Sequence, residues 1–197
     1  DHSARRDAAG RADTGCNGTI AKGAIAMTGL SASARQTALE DILIPARIVP
    51  VLTIERAEDG VPLARALVAG GVKVLEVTFR TEAAAAAAKA IVAEVPDAIV
   101  GIGTVLNGDD LRRAQALGAR FAVSPGATPE LLDAAAASDL ALLPGVATAS
   151  EVMQAQAKGF NLLKFFPAEQ AGGIAMLRAL AKRLPPPPPC PAAGAAA

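Results

Sequence analysis

The stretch VKVLEVTF, Val72 to Phe79, is apolar and rich in β-branched residues, with one carboxylate, Glu76, in its middle. Gly70 and Gly71 precede it, and the run AAAAAA at 83–88 follows it closely. A short apolar run bounded by glycine reads as a strand, and a run of alanines is a strong helix former. This strand-then-helix unit recurs along the chain. Similar runs are RIVPVLT (47–53), AIVGIGTV (98–105), FAVSPG (121–126), LALLPGV (140–146) and LLKFFPAE (162–169). Their starts lie roughly 20–26 residues apart, the spacing of βα units. Helices are expected near 55–69, 82–95, 109–117, 129–137, 149–158 and 173–183. Pro129 behind Thr128 suits a first helical turn, and Thr148 or Ser150 suits the next cap. Six βα units in series define an α/β chain with a parallel sheet, either an open doubly wound sheet or a (β/α)8 barrel.

Composition supports a helix-covered parallel sheet. Of the 197 residues, 52% are hydrophobic but only 3% aromatic, so the core is built of Ala, Val, Leu and Ile. The length fits one domain. Nineteen basic and nineteen acidic residues cancel, which favours neither a nucleic-acid nor a membrane partner. His2 is the only histidine, and Cys16 and Cys190 lie far apart near the two ends. That excludes a structural zinc site and a Ser-His-Asp triad, and two distant thiols fit a reducing cytoplasm.

The ends differ from the middle. Residues 1–26 lack hydrophobic periodicity and are expected to be a disordered upstream segment, with Met27 as the natural start and an amphipathic pattern beginning there. Residues 27–184 form the βα domain. Residues 185–197, PPPPPCPAAGAAA, form a Pro/Ala-rich tail that can continue neither helix nor sheet.

Polar residues gather at the C-terminal ends of the expected strands, where parallel barrels carry their functional groups. Glu76, Thr78 and Arg80 are spaced by two and share a face, as do Leu162, Lys164 and Phe166. Thr104 ends strand three, and Ser124–Gly126 end strand four. Lys164 inside an apolar run allows two readings. Its stem can pack while the ammonium reaches water, or it can be a desolvated amine with a lowered pKa, suited to forming an imine with a carbonyl. Glu76 with Arg80 reads equally as a strand-end salt bridge. The GIG at 101–103 invites a dinucleotide reading, but Leu106 stands where a third glycine is needed. Taken together, a carboxylate, a guanidinium, a hydroxyl and an amine at one end of three strands suit an α-keto acid.

RIVPVLT, AGGVKVLEVTFRT (69–81), GIGTVLN (101–107), FAVSPG, LLPGVATASEVM (142–153) and KFFPAE (164–169) closely resemble the 2-keto-3-deoxy-6-phosphogluconate aldolases. That family also includes 4-hydroxy-2-oxoglutarate aldolase activity. The resemblance runs from about Met27 to Leu184, with Phe79 and Ile102 replacing the family's usual Leu and Ala. It implies a (β/α)8 barrel, of which about six units are present, acting as a cytoplasmic, homotrimeric class I aldolase without metal or cofactor. It casts Lys164 as the imine-forming lysine and Glu76 as the general acid/base. Arg80 and Thr104 would grip the pyruvyl carboxylate, with Pro125 and Phe166 lining the pocket. The expected partner is a small keto-acid substrate, with no nucleic acid and no membrane. The family's CPTGG-like and GGS-like phosphate loops, on strands seven and eight, have no counterpart here. The change of character after Leu184 is read as a frameshift. The alternative to an aldolase is a non-catalytic product lacking strands seven and eight and the phosphate site.

Overall fold

The computed structural model describes residues 31–182. The expectations for residues 1–26 and for the Pro/Ala-rich tail fall outside that range. Six βα units are present, preceded by a helix. The helix, α1 (Ala32–Ala46), opens on Ser31, whose hydroxyl accepts the Ala34 N–H at 3.2 Å. Strand β1 (Val51–Leu52) leads through a 3₁₀ turn at Ala57–Asp59 into α2 (Gly60–Ala69). Next come β2 (Val74–Thr78), α3 (Ala84–Glu94), β3 (Ile99–Gly103), α4 (Gly108–Ala116), β4 (Phe121–Val123) and α5 (Pro129–Ala136). Then follow β5 (Leu142–Leu143), β6 (Gly145–Val146), α6 (Ala149–Ala157), β7 (Lys164–Phe165) and α7 (Gly173–Ala181).

The expected fifth strand is one run in two pieces. Pro144, which has no N–H to give a ladder, separates β5 from β6. The first piece pairs with β4 and the second with β7, all in parallel. The remaining order is β1-β2-β3-β4-β5, so among the described residues β1 and β7 are the edges. The regular strands are shorter than the apolar runs, because ladder pairing covers only part of each.

Residues alternate between two faces, and each face owns a separate core. Leu75, Val77, Val100, Ile102, Ala122 and Leu142 point outward to the helices. Val74, Phe121, Val123, Ala141, Leu143 and Leu162 point inward. The polyalanine helix serves the outer core: Ala84, Ala87, Ala88 and Ile91 are buried, and the small residues let it lie close to α2. Sequence-local signals set most helix starts. Asn107 and Thr128 cap α4 and α5, with Pro129 in the first turn as expected. Thr148 makes a capping box with Glu151, settling the choice between Thr148 and Ser150.

Helix α1 was visible in the sequence only as an amphipathic pattern; its place is a finding of the structure. Leu39 and Leu43, one turn apart, pack against Val74, Phe121, Ala141 and Leu162. These partners sit at or just before the starts of their strands, so α1 stoppers the N-terminal end of the sheet's inner face. Gln36 fastens it there, its Oε1 accepting the N–H groups of Asn161 and Leu162 at 3.2 and 3.3 Å.

Candidate active site

Glu76 lies in the centre of β2 on the inner face, and Lys164 opens β7. Three strands separate them in the sheet: β3, β4 and the interrupted β5/β6 run. On a flat sheet, neighbours about 4.8 Å apart would put these two strands roughly 19 Å from each other. Instead Lys164 Nζ donates to Glu76 Oε1 at 3.4 Å. The sheet is therefore curled, and the two side chains meet across its concave interior. Both are withdrawn from solvent, with side chains 12% and 7% exposed.

The curl places Lys164 and Glu76 together, and other residues make room for them. An ideal Cβ on Gly103 would lie 2.2 Å from Glu76 Oε1, and one on Gly101 would lie 2.2 Å from the Phe121 ring. The two glycines of the GIG are thus recesses on the inner face, one for the carboxylate and one for a core phenyl. This explains the motif without a dinucleotide. Neither recess was read from the sequence. Their signal was the register that places Gly103 beside Thr78, and Gly101 beside Glu76, across the sheet.

Burial pushes the Glu76 carboxyl above the ordinary carboxylate range; the Lys164 ammonium and then the Arg80 charge act in the opposite direction without cancelling it. The ion pair of Glu76 is made with Lys164, not with Arg80, so the strand-end salt-bridge reading does not hold. Arg80 is exposed just beyond β2, close enough for its charge to be felt at Glu76. Lys164 also lies over the Phe166 ring, with Nζ 5.2 Å from the centroid. Thr104 is half-buried directly after Gly103 and has φ of 60°, a left-handed conformation uncommon for a β-branched residue. Pro125 is half-buried, and its carbonyl carbon approaches the Cβ position of Gly145, the residue paired with Lys164 in the ladder. The sequence-predicted residues therefore fall into one region. Lys164 meets both Glu76 and Phe166, while Arg80, Thr104 and Pro125 stand on adjoining strand ends.

Sequence reasoning passed over one polar residue, Thr53, which follows β1. Its hydroxyl lies 3.5 Å from that of Thr78, which is fully buried and donates to the Leu52 carbonyl at 3.0 Å. Its signal was the period of two from Val49 and Val51. Among the described residues no cluster of His, Cys, Asp and Glu could hold a metal ion, and no helix is long and apolar enough to cross a membrane.

A curled parallel α/β sheet, with a lysine–carboxylate pair meeting inside it, defines a βα-barrel protein with an interior ionisable centre. The profile of the family described as KDPG and KHG aldolase matches residues 39–196. The chain belongs to that family of aldolases, KDPG and KHG being the 2-keto-3-deoxy-6-phosphogluconate and 4-hydroxy-2-oxoglutarate of the sequence reading. It is 48% identical over 155 residues to the 2-dehydro-3-deoxy-phosphogluconate aldolase of Pseudoalteromonas atlantica, covering 79% of this chain and 72% of that one. The KHG/KDPG aldolase of Escherichia coli K12 is 51% identical over 146 residues, 74% of this chain and 68% of its own. Among solved structures, the aldolase of Zymomonas mobilis ZM4 with 3-phosphoglycerate superimposes with a TM-score of 0.77 at 46% identity, covering 82% of this chain and 77% of that one. The Legionella pneumophila aldolase, holding pyruvate as a covalent carbinolamine, gives 0.74 at 43% identity, covering 84% and 77%.

Proposed function

We propose that this chain is a class I aldolase cleaving 2-keto-3-deoxy-6-phosphogluconate to pyruvate and glyceraldehyde 3-phosphate, and 4-hydroxy-2-oxoglutarate to pyruvate and glyoxylate. The observation that carries the reading is the contact between Lys164 Nζ and Glu76 Oε1 at 3.4 Å inside the curled sheet. An amine and a carboxylate within hydrogen-bond reach supply the nucleophile and the proton carrier that imine chemistry requires.

Deprotonated Lys164 adds to the C2 ketone, and the resulting carbinolamine loses water to leave a protonated imine. That cation draws electrons from the C3–C4 bond once the C4 hydroxyl gives its proton to Glu76, directly or through a water. The aldehyde leaves, and the enamine takes a proton at C3 and is hydrolysed to pyruvate. Burial suits Glu76 to this exchange, because a carboxyl held above its ordinary range is the stronger base and still returns the proton it takes. Arg80 and Thr104 hold the pyruvyl carboxylate, while Pro125 and Phe166 wall the pocket. The family pattern further supports a cytoplasmic homotrimer, which gel filtration with light scattering checks for the assembly.

Borohydride added with pyruvate should reduce an imine onto Lys164. Lys158 and Lys182, which end α6 and α7, should stay unmodified. Peptide mass spectrometry that places the adduct on another lysine removes the mechanism.

A further inference from the structure

Thr53 and Thr78 form a short hydroxyl chain at the edge of this site. The ladder pairs Val51 with Glu76, so Thr53, two residues on, lies beside Thr78 on the same inward face, one step nearer the strand ends. A threonine hydroxyl has one proton to donate and two lone pairs. The Thr78 proton goes to the Leu52 carbonyl at 3.0 Å. Toward Thr53, Thr78 can therefore only accept, and the 3.5 Å contact is made by the Thr53 proton. With that proton directed inward, exposed Thr53 has lone pairs left to accept from an incoming hydroxyl.

We propose that Thr53 is a specificity residue which accepts a hydrogen bond from the C5 hydroxyl of a polyhydroxylated keto acid. The proposal rests on the aldolase reading above. On that reading Glu76 serves the C4 hydroxyl, and Thr53, one inward position further along the ladder, is placed to meet the next carbon of the leaving aldehyde. A substrate whose C5 is a carboxyl carbon, as in 4-hydroxy-2-oxoglutarate, has no hydroxyl there to donate.

The test is the ratio of kcat/KM for 2-keto-3-deoxy-6-phosphogluconate to that for 4-hydroxy-2-oxoglutarate, measured on the full chain. Thr53→Val, nearly isosteric but without a hydroxyl, should lower the ratio about 3- to 10-fold, the worth of one neutral hydrogen bond. Thr53→Ser should restore it. An unchanged ratio in Thr53→Val, or a lowered ratio that serine does not restore, overturns the proposal while leaving the aldolase reading in place. If the unsubstituted chain neither cleaves these substrates nor traps pyruvate on Lys164, the aldolase reading falls, and this inference falls with it.

Discussion

Gly103→Ala adds one methyl group, and the structure says where it goes. The new Cβ would sit 2.2 Å from Glu76 Oε1 and 2.8 Å from both Cδ and Cγ. Comfortable non-bonded contacts begin at about 3.5 Å, so the carboxylate has to retreat by roughly 1 Å or more. Gly103 is not among the positive-φ glycines, so alanine meets no backbone strain of its own there. The cost in stability is that of overpacking, about 1–3 kcal/mol. The cost in chemistry is larger, because a misplacement of about 1 Å in a catalytic group can lower a rate around 10²-fold. The assay is exchange of the pyruvate methyl protons in heavy water, followed by NMR, which reads proton transfer on the lysine-bound enamine and needs no phosphate. Exchange should slow about 100-fold, while borohydride still traps pyruvate on Lys164. Gly101→Ala is the control: its Cβ meets the fully buried Phe121 ring instead, at 2.2 Å, so it should lower Tm with a far smaller effect on exchange. If Gly103→Ala exchanges within threefold of the parent, the carboxylate recess has no part in catalysis.

Glu76 must be ionised to accept a proton, and burial raises its pKa, so exchange should fall as pH drops through a value above the ordinary carboxylate range; Glu76→Gln should abolish that limb and leave a rate 10²–10⁴-fold lower. Thr104→Gly should relieve a left-handed β-branched backbone, raising stability by about 1 kcal/mol net of glycine's entropy, while weakening pyruvate trapping through loss of the hydroxyl; a lower Tm would count against strain at φ of 60°. Glu151 accepts from the backbone N–H groups of Ala147 and Thr148 at 2.7 and 2.8 Å, and these bonds hold its pKa below the usual range. A lowered folded pKa gives stability that is present above the unfolded value and lost as pH falls through the folded one. Glu151→Ala should therefore lower stability at pH 7 in a denaturant titration, by no more than about 1 kcal/mol because the carboxylate is exposed and solvent-screened, and the gap from the parent should close in strong acid.

The elements were legible in the sequence because each apolar run carries its own punctuation. Asn107, Thr128-Pro129 and Thr148 act within a single turn, so their effect needs no tertiary knowledge. The placement of Glu76 and Lys164 on inward faces followed from a period of two. Their meeting did not, since it depends on the curl accumulated over three intervening strands. The roles of Gly101 and Gly103 were hidden for the same reason. A glycine tells of an intimate neighbour but not which one, and Phe121 and Glu76 are named only by the register. Arg80 shows the opposite error: two charges four residues apart, at the end of one strand, suggested a pair, whereas the carboxylate found its ion-pair partner 88 residues away.

Helix α1 carries a consequence for the order in which the chain is assembled on the ribosome. Its anchor, Gln36, bonds to a backbone N–H 125 residues later in the sequence, and Leu39 and Leu43 are covered by strands made in between. At about 5–20 residues per second, the last of these partners follows Gln36 by roughly 6–25 seconds. A helix of 15 residues is marginal on its own in water. The earliest described element is thus among the last to find its seat, and it waits with its leucines uncovered. During those seconds it is the part of the nascent chain most open to a holding chaperone. Arresting translation before Leu162 should leave it protease-sensitive while the β2–β4 units are already protected.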